Sequence, residues 1–149
     1  MKKFFLFLTV CVFACMAWSC SDDDDKDTPI SVNDLPVAAK NFISQFYSSD
    51  QVVIVTKEVN KANSSYEVKF KSGQEVEFDA AGAWTDVDAP TGKTIPTGIV
   101  PEIDQYVEQN FQSVGINEIS RDSRGYEVDL LNGRELLFTL DFVFAGYGD

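Results

Sequence analysis

The chain has 149 residues, with 24 Asp plus Glu against 12 Lys plus Arg, no His, and three Cys that all fall at or before position 20. Its length predicts one domain, and 44% apolar with 13% aromatic residues is the composition of a folded chain, not a disordered one. A net charge of −12 excludes the clustered basic surface that nucleic acid requires, and the absence of His removes most general-base, nucleophilic-relay and zinc schemes.

The N-terminus reads as an export signal. Lys2 and Lys3 form a positive n-region, and Phe4 to Ala17 is an almost unbroken apolar stretch, the layout of a secretory signal peptide. It is shorter than the about 18–20 residues that cross a bilayer core. Ala17-Trp18-Ser19-Cys20 resembles a bacterial lipobox, in which a small residue precedes an acylated Cys that becomes the new N-terminus. That resemblance implies a signal peptide over residues 1–19 and lipid attachment at Cys20. Val12-Phe13-Ala14-Cys15 is a rival, and Cys20 is favoured because polar Ser21 and four Asp follow it at once. Like charges in a run cannot collapse, so residues 20–33 are expected to be a solvated tether. An EF-hand loop would need alternating ligands and a Gly at the bend, which this run lacks, so no metal site is expected. The acidic run behind the lipobox also resembles the signal that sends lipoproteins of Bacteroides-type bacteria to the outer face of the outer membrane. It implies a surface-exposed outer-membrane lipoprotein whose membrane contact is its N-terminal lipid.

Beyond the tether, residues 34–149 are expected to form one domain of two repeats, 34–90 and 95–149. Without the signal the chain has ten basic and 24 acidic residues, and discounting the tether's five Asp and Lys26 leaves nine against 19, a net charge of −10, so the domain itself is acidic. In the first repeat Leu35, Ala39, Phe42, Ile43 and Phe46 form one stripe at helical spacing, with Asp34 as the expected cap and Pro36 in the first turn. In the second, Ile99, Ile103, Tyr106, Val107 and Phe111 repeat the stripe. Asp104 and Glu108 lie one turn apart on the opposite face, a pair expected to be solvated rather than catalytic.

Each helix leads to a similar hairpin, YEVKFKSGQEVEF from Tyr66 and YEVDLLNGRELLF from Tyr126, related by an offset of 60, whereas the helices align at 64 or 65. The first repeat therefore carries about four extra residues, expected in the loop around Asn60 to Ser65, where an insertion costs least. Period-two alternation gives the strands. Keeping their faces unmixed requires a three-residue hairpin loop around Gly73, with Phe70 facing Val76 and Lys69 facing Glu77; the second hairpin then pairs Leu130 with Leu136 and Val128 with Phe138. Further strands are expected at Gln51–Val59 and Ile116–Arg121, and from a turn at Asp79–Gly82 into Trp84–Val87. The Pro- and Gly-rich stretch Pro90–Gly98 is a connection between halves. The fold class is α+β: two tandem repeats, each one helix and about four antiparallel strands, with a shared or continuous sheet and the helices on one face.

The order LP, helix, YEVKFKSGQEVEFDAAGAW, second helix, YEVDLLNGRELLF resembles the PepSY-like proteins of Bacteroides relatives, small exported proteins of tandem repeats that are similar in fold to the beta-lactamase inhibitor protein. The resemblance runs from about Leu35 to the C-terminus and implies a sheet used as a binding surface. In the second repeat Thr139, Phe142 and Phe144 replace Asp79, Gly82 and Trp84, and the alternation of Phe138, Leu140, Phe142 and Phe144 would let that repeat run on as one strand. The expected function is a lipid-anchored, exported, non-enzymatic binding module for a protein or peptide, of the peptidase-regulating kind; the alternative is a solute- or glycan-binding lipoprotein of the cell envelope. No catalytic residue, cofactor, metal or nucleic-acid partner is expected. Trp84 and Tyr147 are the candidate recognition residues, as aromatics the core has least room for, and an acidic surface favours basic partners.

Overall fold

The computed structural model describes residues 27–59 and 64–148; the expected signal sequence, Cys20 and the acidic run lie outside them. Among the described residues one antiparallel sheet runs in chain order through β1 (Thr28–Pro29), β2 (Val52–Val59), β3 (Ser64–Phe70), β4 (Glu75–Phe78), β5 (Trp84–Asp88), β6 (Ile116–Arg121), β7 (Tyr126–Leu130), β8 (Glu135–Phe138) and β9 (Phe144–Tyr147). Two ten-residue helices, α1 (Val37–Phe46) and α2 (Pro101–Asn110), pack on one face of it. The unit α1–β2–β3–β4–β5 recurs as α2–β6–β7–β8–β9, and β5 pairs with β6, so the two repeats share one continuous sheet. The sheet also reaches back into the segment expected as tether: Thr28 and Pro29 pair with Lys57 and Thr56.

Asp34 does not cap α1. Pro36 occupies the N-cap position and pushes Leu35 into extended geometry, φ −64 and ψ 149. Asp34 instead closes a short 3-10 turn, Val32–Asp34, as half of a capping box with Ser31.

The same aromatic triad seats both helices. Phe42 meets Phe78 edge to face at 5.7 Å and Trp84 at 6.4 Å; Tyr106 meets Phe138 at 5.2 Å and Phe144 at 5.1 Å. Ala39, Ile103 and Val107 are buried with Val68, Val76, Phe78, Val87, Ile119, Val128, Leu136 and Phe138 in one core that spans both repeats. The link between repeats is fastened to this core. The Asn117 side chain donates to the carbonyls of Ala89 at 2.8 Å and Lys93 at 2.9 Å.

Both hairpin loops have three residues, Lys71–Gly73 and Leu131–Gly133, but the register differs from expectation by two residues. Val68 faces Val76 and Lys69 faces Glu75; in the second hairpin Val128 faces Leu136 and Tyr126 faces Phe138. The reason is the glycine. Gly73, at φ +90, takes the last loop position and donates to the Phe70 carbonyl, so the turn is centred one residue earlier than a mid-loop glycine would put it. A shift of two leaves the faces unmixed.

β2 and β3 have 8 and 7 residues where β6 and β7 have 6 and 5; residues 60–63 of the loop expected to carry the extra residues lie outside the described ones. The second repeat does not run on after Phe138. Thr139 rebuilds the turn that Asp79 makes, its hydroxyl accepting from the Val143 N–H at 3.2 Å as the Asp79 carboxylate accepts from Ala83 at 2.9 Å. Phe142 takes the left-handed backbone at φ 61 where Gly82 has φ 84. Gly82 has no alternative, because a Cβ there would lie 2.6 Å from Pro36 Cβ at the start of α1. Phe142 instead packs its ring on Tyr126 at 5.5 Å.

Candidate functional site

With both helices on one face, no described helix covers the other face of the sheet, and the register decides what that face displays. Side chains two apart on a strand share a face. One row crosses six strands as Lys69, Glu75, Asp88, Glu118, Asp129 and Glu135, each paired with the next across a strand boundary. A second row runs beside it as Glu67, Glu77, Asp86, Ser120, Glu127 and Leu137. Neighbouring strands are about 4.8 Å apart, so carboxylates stand at distances where like charges repel. Lys69 is the one cation in the two rows; its ammonium reaches Glu67 and Glu75, each at 2.9 Å. Burial lowers the Lys69 pKa, but hydrogen bonds to these two carboxylates outweigh it and the net direction is up.

The rows are most strained at the seam between repeats. Asp86 on β5 and Glu118 on β6 are interacting carboxyls on adjacent strands, both half-buried. Burial, then repulsion from Glu118, Glu77 and Asp88, pushes Asp86 up to about 8; burial, then Asp129 and Asp88, pushes Glu118 to about 7. Together the two carboxyls therefore hold a proton near neutral pH. Burial followed by neighbouring carboxylates also raises Glu77, Asp88 and Asp129. This is a surface that stores unfavourable anionic charge, and a cation laid across it relieves that charge. Among the described residues no group of three or more acidic or Cys side chains is placed to hold a metal ion.

The other candidates lie elsewhere. Trp84 is half-buried on the helix face, beside Phe42 and 6.3 Å from Tyr126, with the Arg121 guanidinium 4.5 Å from its ring and Arg121 Nε donating to its carbonyl at 2.6 Å. Tyr147 is 58% exposed at the edge of the sheet. Asp104 and Glu108 form no pair: Asp104 accepts from the Gly98 N–H at 2.6 Å and secures the link before α2. Single-strand patterns do indicate which carboxylates face away from the core, but their alignment into continuous rows depends on the β5–β6 register. That register follows from the clamped link and has no local signal.

Residues 17–63 and 64–145 match the model of a family described as proposed beta-lactamase-inhibitor-like, PepSY-like. These two segments divide the chain at the β2–β3 hairpin and not between the structural repeats. Among solved structures, a proposed calcium-regulated periplasmic protein of Bacteroides thetaiotaomicron is 37% identical, with a TM-score of 0.77, covering 83% of this chain and 97% of its own. A proposed periplasmic protein of the DUF2874 family from Bacteroides vulgatus is 35% identical, with a TM-score of 0.76, covering 87% of this chain and all of its own. Another proposed periplasmic protein of Bacteroides vulgatus, of unknown function, is 32% identical, with a TM-score of 0.76, covering 83% of this chain and all of its own. None of these three descriptions names an enzymatic activity. No curated protein matches the chain.

Proposed function

The chain belongs to the PepSY-like family, and on that premise we propose that it is an exported, non-enzymatic binding module whose uncovered sheet face takes a basic segment of a protein or peptide. The observation that carries this is the double row of carboxylates across β3 to β8, which holds a single lysine and sets its most perturbed pair at the junction of the repeats. Charge complementarity selects the occupant: Lys and Arg side chains of an extended segment would replace the protons and mutual repulsion of the rows with ion pairs. A partner that is a peptidase, and hence a regulatory role, is the form that the inhibitor-like description of the family favours.

Titration with an Arg- and Lys-rich peptide tests the reading. Affinity is expected to fall steeply as salt shortens the Debye length from about 30 Å toward about 8 Å, and to fall about tenfold or more when Asp88 and Glu118 are replaced by Asn and Gln. Binding that ignores both changes contradicts it. The calcium regulation proposed for the Bacteroides thetaiotaomicron relative favours a second reading, in which Ca²⁺ neutralises this face. A calcium-dependent rise in the melting midpoint that Glu118→Gln abolishes, without peptide binding, would select that reading.

The lipid anchor and the outer-membrane, surface-exposed location belong to the same proposal, supported by the lipobox-like Ala17–Cys20 and the Asp run behind it. Palmitate labelling of the expressed chain is expected to disappear in Cys20→Ala. Persistence of the label would move the anchor to another residue, with Cys15 the first to replace.

A further inference from the structure

We infer that a cleft at the far edge of the sheet, where the end of α2 meets β9, is a second binding site, and that it takes the ring of an acidic sugar. The cleft has a volume of about 390 Å³, within the range of small-ligand sites, about 300–1,000 Å³. Its wall combines three kinds of group. Tyr106, Phe111 and Tyr147 present aromatic rings, Asn110 and Asn132 present amides, and Arg134 presents the charge.

Arg134 is the residue that gives the cleft a preference. Its guanidinium carbon lies 5.9 Å from the centre of the Phe111 ring and 5.8 Å from that of Tyr147. Among the described residues it makes no salt bridge, although Arg124 is paired with Asp122 and Lys69 with two glutamates. A guanidinium set on aromatic faces is oriented by them while its in-plane N–H donors stay available, the arrangement that grips a carboxylate through two parallel hydrogen bonds. Arg121, the other arginine that lies over an aromatic ring without a salt bridge, gives its Nε–H to the Trp84 carbonyl instead.

The rest of the wall suits a sugar better than a bare carboxylate. Tyr147 is 58% exposed and stands edge to face with Phe144 at 5.3 Å, so its ring is held while one side remains open for the C–H face of a pyranose. At the end of α2 the Tyr106 carbonyl accepts from Asn110 and that of Val107 from the Phe111 N–H, and the closing carbonyls beyond them can accept from ring hydroxyls. The Asn132 and Asn110 amides add acceptors; Asn110 already donates to the Tyr106 carbonyl at 2.8 Å, which fixes its orientation. A carboxylate on the ring for Arg134, hydroxyls for the amides and carbonyls, and an apolar face for Tyr147 together describe a hexuronic acid. This site stands apart from the carboxylate rows and does not depend on them.

The test is an NMR titration of the protein with glucuronic acid, glucose, and a short peptide carrying a free C-terminal carboxylate. Glucuronic acid is expected to shift the Arg134 side-chain Nε–H and Tyr147 ring signals saturably, and to bind about tenfold or more tightly than glucose. Arg134→Gln should erase that preference, Arg134→Lys should not restore it, and Tyr147→Ala should weaken both sugars while leaving the preference between them. Both side chains are exposed, so the melting midpoint serves as a control and should not move. Equal binding of the two sugars, tighter binding of the peptide, or no saturable shift at Arg134 would overturn the assignment.

Discussion

Phe78→Ala is expected to lower the unfolding free energy by about 3–5 kcal/mol, the usual cost of deleting a fully packed phenylalanine, and to do so in a single transition. Phe78 is completely buried, touches Phe42 of α1 edge to face, and sits in the same core as Val128, Leu136 and Phe138 of the second repeat. The sheet has no break at the β5–β6 junction, so neither half has a core of its own to fall back on. One cooperative melt, shifted down by more than about 10 °C, is therefore predicted by both circular dichroism and calorimetry. Two separable transitions, with only the first displaced, would mean that the repeats fold independently.

Asp86→Asn is expected to stabilise the protein at pH 8.5 and to flatten its dependence on pH. A carboxyl raised to about 8 in the folded state holds a proton that the unfolded chain releases near the ordinary aspartate value of 3.8. Between those pH values the folded state binds more protons, so stability is greatest below the unfolded pKa and declines as pH rises toward the folded one. Glu118, raised to about 7, adds in the same direction. Four pKa units would convert to about 5 kcal/mol, but water reaches this half-open face, and of the order of 2 kcal/mol is a better expectation. The wild-type melting midpoint should thus fall by several degrees from pH 5 to pH 8.5, and Asp86→Asn should remove much of that fall. A midpoint that rises across this interval would contradict the buried pair.

The parts of this fold that rest on short-range patterning were legible in the sequence: helical stripes at Leu35–Phe46 and Ile99–Phe111, alternating strands, the repeat itself, and loops of three residues. Three features escaped because a stronger local or tertiary demand settled them. Gly73 fixed the hairpin register by claiming the last loop position. Thr139 supplied a turn with its hydroxyl although it is not an aspartate, and Phe142 accepted a left-handed backbone in exchange for packing on Tyr126. The candidate site was the least legible part. Alternation identifies Glu75, Asp88, Glu118 and Asp129 singly as outward-facing, but only pairing between the repeats turns them into one row. Tyr147 could be read as exposed, yet its neighbour Arg134 gave no signal, since a lone arginine after Asn-Gly looks like any hairpin residue. Trp84 illustrates the converse: it takes in the first repeat the place that Phe144 takes in the second, against the helix.

If the carboxylate rows are a site for basic groups, the proton shared by Asp86 and Glu118 is displaced when such a group arrives. Proton uptake or release on binding an Arg- and Lys-rich peptide, measured by calorimetry near pH 7 in two buffers of different ionisation enthalpy, tests it most directly. A cation on the pair lowers both pKa values, so release of up to about one proton is predicted, and Asp86→Asn should abolish it. Binding with no change in protonation would contradict the claim.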